Sequence, residues 1–268
     1  MKKIDMVYAE IMKRQVVNTD DLDEIMFSVF GKPLQYKYFY NQYLSKLVKE
    51  NKLVRIRRGL YHGIDIYSTR KSKPDKYLIS AKLRKHYYLG YHTALELHGC
   101  AYSDFNRCYI VTTPNSKFEP FYYDNLNFQK VFTRDIESFI ETIKYSGQSI
   151  CVSNPSRTFV ECINRPEFCG GWEEVLKSLD SLGNVKIHEV QKILKIYDKQ
   201  ILYRKCGYVL DIMIKNSPYY KHIEKQKGLH PIGKSAPDLF IKKNNRGKYI
   251  PKWKLFAPFD FAELIREV

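Results

Sequence analysis

The stretch Leu53-Val-Arg-Ile-Arg-Arg-Gly-Leu-Tyr-His62 decides how the first part of this chain is read. Val54 and Ile56 alternate with Arg55 and Arg57, which is the period of a strand with one apolar and one solvated face. Arg58-Gly59 then supplies a turn before Leu60 and Tyr61 resume. The segment predicts a β-hairpin with basic outward side chains.

Three helices are expected before it. Ile4, Val7, Tyr8 and Ile11 fall at helical spacing over 3–14. A second helix opens at Thr19 as N-cap, with Asp20, Asp21 and Asp23 at the positive end of its dipole, and stops at Gly31 and Pro33. A third runs from about Gln35 to Glu50, burying Tyr40, Leu44, Leu47 and Val48. Three helices followed by a basic hairpin is the order of a winged helix-turn-helix. In such a module the exposed face of the third helix enters the major groove. Lys37, Tyr38, Asn41, Gln42 and Ser45 are the candidate base readers. Asn41 and Gln42 stand out because an amide can bond adenine bidentately. Lys46, Lys49, Arg55, Arg57 and Arg58 are the candidate phosphate contacts, which position a duplex without specifying its sequence. The tyrosines at 36, 38, 40 and 43 can serve as packing or as stacking surfaces.

The charge supports a polyanionic partner. The 268 residues carry a formal charge of +16. Residues 36–73 hold ten Lys and Arg against two acids, and residues 215–254 hold eleven against two. The rest of the chain is balanced. Clustered positive charge is what counterion release from phosphates requires. For 215–254, extra DNA phosphates, RNA, an acidic protein surface or plain solvation all remain open.

A polar, basic segment, Tyr67 to Pro74, suggests a boundary between a winged-helix domain over 1–70 and a larger α+β domain over 75–268, with a possible basic subdomain at 215–268. In the larger part, helices are expected over 75–86, 92–97, 156–164, 172–179, 185–197 (with an Asn184 cap) and 200–214. Strands are expected over 107–113, 126–132, 149–152, 238–242 and 249–255. No apolar run reaches the ~18 residues of a membrane span. Asp5 and Glu10 interrupt any secretory leader. Six cysteines without a C-x-x-C pair read as reduced thiols, so a cytoplasmic protein is expected.

Three blocks in order along the chain carry a family resemblance: Leu47–Tyr61, Tyr91-His-Thr-Ala-Leu-Glu-Leu-His-Gly99, and Ser156-Arg-Thr-Phe-Val-Glu-Cys-Ile-Asn-Arg-Pro166 followed by Gly170-Gly171. Together they resemble AbiEi-type antitoxins, the regulator half of abortive-infection toxin–antitoxin pairs. Glu161 stands where that family usually has Asp, and His92-Thr93 where Ser is common. The resemblance spans roughly 36–215. It implies a DNA-binding repressor of its own operon that counters a nucleotidyltransferase-like toxin, directly or indirectly. Double-stranded DNA with inverted repeats would be its partner, and a homodimer would match the two-fold site. Arg157, Thr158, Glu161, Arg165, Gly170 and Gly171 are expected to form a structural motif of the antitoxin domain.

Catalytic signatures are sparse: no Walker, Rossmann, zincin or nucleophile-elbow pattern occurs. Arg157 and Glu161 stand at i,i+4 and can pair along a helix. Gly170-Gly171 reads as a helix-entry turn or a weak phosphate loop. His86, His92 and His98 read as core or surface residues rather than ligands. No metal or cofactor is expected. Two other classes stay open: a nuclease-like enzyme built around Asp238 and Lys242, and an adaptor for an acidic protein.

Overall fold

In the computed structural model the described residues are 2–66, 74–223, 229, 237–240 and 247–265. The expected linker at 67–73 and much of the second basic region, including Lys242, lie outside them.

Helix α1 (Lys3–Arg14) buries Val7 and Ile11. A short strand β1 (Val16–Asn18) leads into α2 (Thr19–Phe30). The cap of α2 is Asn18 rather than the expected Thr19. Its side chain accepts the Asp21 N–H at 3.0 Å, while Asp21 accepts the Asn18 N–H at 2.9 Å. That reciprocal box satisfies two orphan donors, which a lone Thr19 hydroxyl would not. Gly31, at φ +72°, ends the helix as expected. The third helix is continuous through α3 (Tyr36–Phe39), a π-turn (Tyr40–Leu44) and α4 (Ser45–Lys49). The π-turn shifts the buried stripe to Phe39, Leu44 and Leu47, leaving Val48 exposed. The hairpin forms as β2 (Leu53–Arg57) and β3 (Leu60–Gly63), and β1 pairs with β3 to complete a three-stranded antiparallel sheet.

The second part begins with α5 (Lys76–Ala81), capped by Asp75. It is shorter than the expected helix, because the chain turns and enters β4 (Tyr88–Leu89). After α6 (His92–Leu97) come β5 (Arg107–Thr112), β6 (Phe121–Tyr123), β7 (Leu126–Phe132), β8 (Ile140–Tyr145) and β9 (Gln148–Ser153). They make one six-stranded mixed sheet in the order β6-β7-β5-β4-β9-β8. Four helices follow: α7 (Pro155–Asn164), α8 (Trp172–Asp180), α9 (Ile187–Tyr197) and α10 (Gln200–Asn216). The cap position of α9 is Lys186; Asn184 sits upstream at φ +59°. A small sheet, β10 (Asp238–Leu239), β11 (Lys248–Ile250) and β12 (Leu255–Ala257), lies beyond them. The architecture is mixed α+β.

Period-two alternation separates the two faces of the large sheet. Along β5, Tyr109 and Val111 join the core under α7–α10, whereas Cys108 and Ile110 join a second core with Leu78 and Ile79 of α5. That second core also takes in Val16 of β1 and Leu60 of β3. The N-terminal unit therefore packs on the sheet face opposite the helical layer.

Arg157 ties the layers together. Buried in α7, it donates through Nε to Glu161 Oε1 at 2.9 Å and through Nη2 to the Tyr88 hydroxyl at 2.8 Å. It also donates to the carbonyls of Asp135 and Ser138 in the loop between β7 and β8. The Tyr88 hydroxyl in turn donates to Glu161 Oε1. Burial opposes the charge on Arg157, yet Glu161 and Tyr88 beside it keep its pKa above the ordinary guanidinium value. The other Glu161 oxygen faces Gly90, where a Cβ would come within 2.9 Å of it.

These contacts set two stability outcomes. Arg157→Met leaves the buried Glu161 carboxylate without its counter-charge and takes a donor from two carbonyls, so urea unfolding should show a loss of about 3–5 kcal/mol. The double change Arg157→Met/Glu161→Leu should recover part of it, since the uncompensated charge is gone. At Gly207 in α10, an added Cβ would come within 2.2 Å of the ring of buried Trp253. Gly207→Ala should therefore lower Tm by calorimetry, at a cost of about 1–3 kcal/mol, despite the better helix propensity of alanine.

Candidate nucleic-acid interface

The third helix presents its outer face to solvent. Lys37, Tyr38, Asn41, Gln42, Lys46 and Lys49 are all exposed, and Ser45 is half-buried. They share one side because the inner side is taken by Phe39, Leu44 and Leu47, which pack against α1 and α2. Tyr43 belongs to that packing, with its ring 5.1 Å from Phe30 and 5.4 Å from Phe39. Tyr38 remains outside, half of its surface open.

Local hydrogen bonds divide the candidate base readers. The Ser45 hydroxyl donates to the Asn41 carbonyl at 2.7 Å, one turn back. Lys46 donates to Gln42 Oε1 at 3.2 Å, which engages the acceptor of that amide. The side chain of Asn41 makes no such internal bond among the described residues. Asn41 is thus the amide best placed to offer both its donor and its acceptor.

The hairpin does not place its three arginines alike. Across the pair, Arg55 stands opposite Tyr61 while Arg57 stands opposite Leu60, with a bulge between them. Opposed residues project to the same face, and Tyr61 and Leu60 project to opposite faces. The bulge therefore sends Arg55 toward the third helix and Arg57 toward the second part of the chain. There the Arg57 guanidinium lies 4.9 Å from the centre of the Phe121 ring and donates to the Glu119 carbonyl at 3.5 Å. Simple alternation puts Arg55 and Arg57 on one outward face; the extra residue at the bulge is why they separate. Arg58 is exposed at the turn, beside Gly59 at φ +74°.

Between helix and hairpin runs a cleft of about 450 Å³, lined by Tyr36, Tyr40, Arg55, Arg58, Tyr61 and Thr19. The Tyr36 and Tyr61 hydroxyls meet at 3.3 Å on its wall. Burial, then the bond with Tyr36, holds the Tyr61 phenol well above its usual pKa, so this wall stays neutral. Among the described residues, no carboxylate lies within 4.0 Å of Arg55, Arg57 or Arg58. Glu50, at the end of α4, is held by Lys52 at 2.7 Å.

The motif expected between Arg157 and Gly171 lies elsewhere and divides in two. Arg157, Thr158 and Glu161 are interior, with the Thr158 hydroxyl bonded to the side chain and carbonyl of Ser153. Arg165 is exposed, pairing with Glu167 over the Phe168 ring. Gly170 and Gly171, at φ +80° and +103°, form the turn into α8. The histidines also separate: His92 stacks on Phe105 at 3.7 Å between Glu96 and Glu174, and His98 meets the Ser153 carbonyl at 2.8 Å. Among the described residues, no three His, Cys, Asp or Glu side chains group as a metal site. Asp238 accepts the N–H of Leu239, and Lys242 lies outside the described residues. No helix among them is long and apolar enough to cross a membrane.

Sequence reasoning misses Arg84 and Lys85, which approach the hairpin from beyond α5. Their signal is the basic run Arg84-Lys85-His86, absorbed into an expected helix and into an electrically balanced stretch.

No protein-family model matches the sequence, and no curated protein does. Among solved structures, the chain is similar to the crystal structure of the RV2827C protein from Mycobacterium tuberculosis, with a TM-score of 0.65 at 15% identity. That match covers 98% of this chain and 94% of the other. At such identity the likeness is one of fold, and it extends over nearly the whole of both chains.

Proposed function

We propose that residues 36–61 are the reading surface of a winged helix-turn-helix and that the protein is a sequence-specific DNA-binding repressor. The observation that carries this reading is the juxtaposition of an exposed amide-bearing helix face with two hairpin arginines, Arg55 and Arg58, that have no acidic partner among the described residues. The helix would lie in the major groove, with Asn41 on a base edge and Lys37 and Tyr38 beside it. Lys46, Lys49, Arg55 and Arg58 would neutralise the flanking phosphates. The order of helices and strands, closed by a three-stranded antiparallel sheet, supports the same module.

The three sequence blocks support a narrower role. On that reading the protein is an AbiEi-type antitoxin that represses its own operon and counters a nucleotidyltransferase-like toxin. Inverted repeats in the operator would take one copy per half-site, making the bound form a homodimer.

Fluorescence anisotropy with the duplex upstream of its own gene tests the reading. Binding should weaken steeply with salt, and Arg55→Ala or Arg58→Ala should each reduce the log–log slope by about one. Asn41→Ala should cost about 1–3 kcal/mol on that duplex and little on a scrambled one. Absence of salt-dependent binding would remove the repressor role altogether.

A further inference from the structure

We propose that the second part of the chain completes the DNA-binding surface, with Arg84 and Lys85 gripping the phosphodiester backbone from across a cleft that faces hairpin residues Arg57 and Arg58. This inference rests on the DNA-binding reading above and extends it to residues outside the N-terminal unit.

The cleft measures about 410 Å³ and opens where the two parts of the chain meet. One wall is the hairpin turn with the first residues of α2; the other is the segment 82–86 with Ser116. It shares Thr19, Arg58 and Gly59 with the cleft beside the third helix. The two clefts therefore adjoin, with Arg55, Arg57, Arg58 and Arg84 along them and Asp20 the one acid in their lining. A duplex seated on the helix would carry a backbone strand along this path.

Arg84 is built into its wall. Its Nε donates to the carbonyls of Ser116 and Lys117, both at 3.0 Å, and Nη2 donates to the Lys117 carbonyl at 2.6 Å. Nη1 donates to the Leu83 carbonyl. A guanidinium has five N–H groups, so one on each terminal nitrogen remains for a ligand. All of these partners are neutral, and among the described residues no carboxylate lies within 4.0 Å of it. Burial and then the neighbouring Arg57 push its pKa down. Two guanidiniums that line one cleft, neither with a carboxylate partner among the described residues, leave a repulsion that a phosphate would relieve.

The acids near the cleft each pair with a lysine of its far wall. Asp21 pairs with Lys82 at 2.7 Å, and Asp20 pairs with Lys85 at 3.0 Å. The second pair is exposed on both sides, so it contributes little and exchanges readily for a phosphate. Arg84 itself needs no rearrangement: the carbonyl bonds hold its guanidinium in place before any ligand arrives, which lowers the entropic cost of contact.

The test compares full-length variants on two duplexes, one ending at the hairpin and one extended by about half a helical turn past it. On the long duplex, Arg84→Ala and Lys85→Glu should each weaken binding several-fold at low salt, with the salt slope reduced by about one for the alanine variant. On the short duplex both should match the unmodified protein. Lys85 is a surface residue, so its variant keeps the result interpretable where removal of Arg84 disturbs the loop. Unchanged slopes for both variants, while Arg55→Ala still weakens binding, would overturn the clamp and leave the DNA-binding reading intact. Loss of affinity for all duplexes alike would also overturn it, and no binding by any form would defeat both.

Discussion

Everything that gives the N-terminal unit a fixed orientation depends on the burial of Val16 and Leu60 against the far face of the six-stranded sheet. Each comes from the three-stranded sheet of β1, β2 and β3, and each enters a core otherwise built by α5, β4, β5, β7 and β9 with Leu83, Tyr87 and Phe118 from the connecting segments. Fully burying such a side chain is worth about 1.5–3 kcal/mol, so the two together outweigh a typical exposed ion pair several times over. Polar contacts then set the angle. Asn18 donates to the Lys82 carbonyl at 3.2 Å, Lys82 pairs with Asp21, and Arg57 lies on Phe121. A hairpin anchored this way along one face cannot swing freely as a separate domain would. Whatever the third helix binds must also accommodate the second part of the chain beside it.

The opposite face of the sheet solves a different problem. There a charged residue, Arg157, sits in the interior, where desolvation works against it. Its geometry offsets that cost through a carboxylate, a phenol and two carbonyls drawn from three separate segments of the chain. Such a hub defines which loop, strand and helix must come together, more than it adds to stability. This is the physical content of the Ser156–Pro166 block. The first residues of the motif, Arg157, Thr158 and Glu161, are interior, and what they specify is the packing of α7 on the sheet.

The elements readable from sequence are those whose signals are local. Asn154-Pro155 caps and opens α7 at the start of the expected 156–164 helix, and Arg107–Thr112 forms a strand because Cys108–Val111 is a short apolar run, buried on both faces of the sheet and followed by Pro114. Two edge strands, β6 and β8, escape such a reading, although Asp124-Asn125 and Ser146-Gly147 adopt the positive φ values of tight hairpin turns. Both strands are only half-buried, so their composition lacks a marked apolar face. Strand β4 is two residues long and exists only because β5 and β9 flank it. Within the candidate site, the helix face is legible because it follows a helical period. The separation of Arg55 from Arg57 is not, since a bulge is a property of pairing between strands and leaves no mark in either strand alone.

Charge along the chain gives a similarly partial view. Summed by segment, residues between the two basic regions nearly cancel, which suggests that this part has no role toward a polyanion. In three dimensions the cancellation is uneven. Three acids of that segment are drawn inward: Glu96 to Lys76, Glu161 to Arg157, and Glu174 between His92 and Ser103. Arg84 and Lys85 stay at the surface, one bonded to neutral carbonyls and the other to an exposed Asp20. A stretch with no net charge can therefore present a positive face, because burial selects which of its charges meet the solvent and which are consumed in holding the fold.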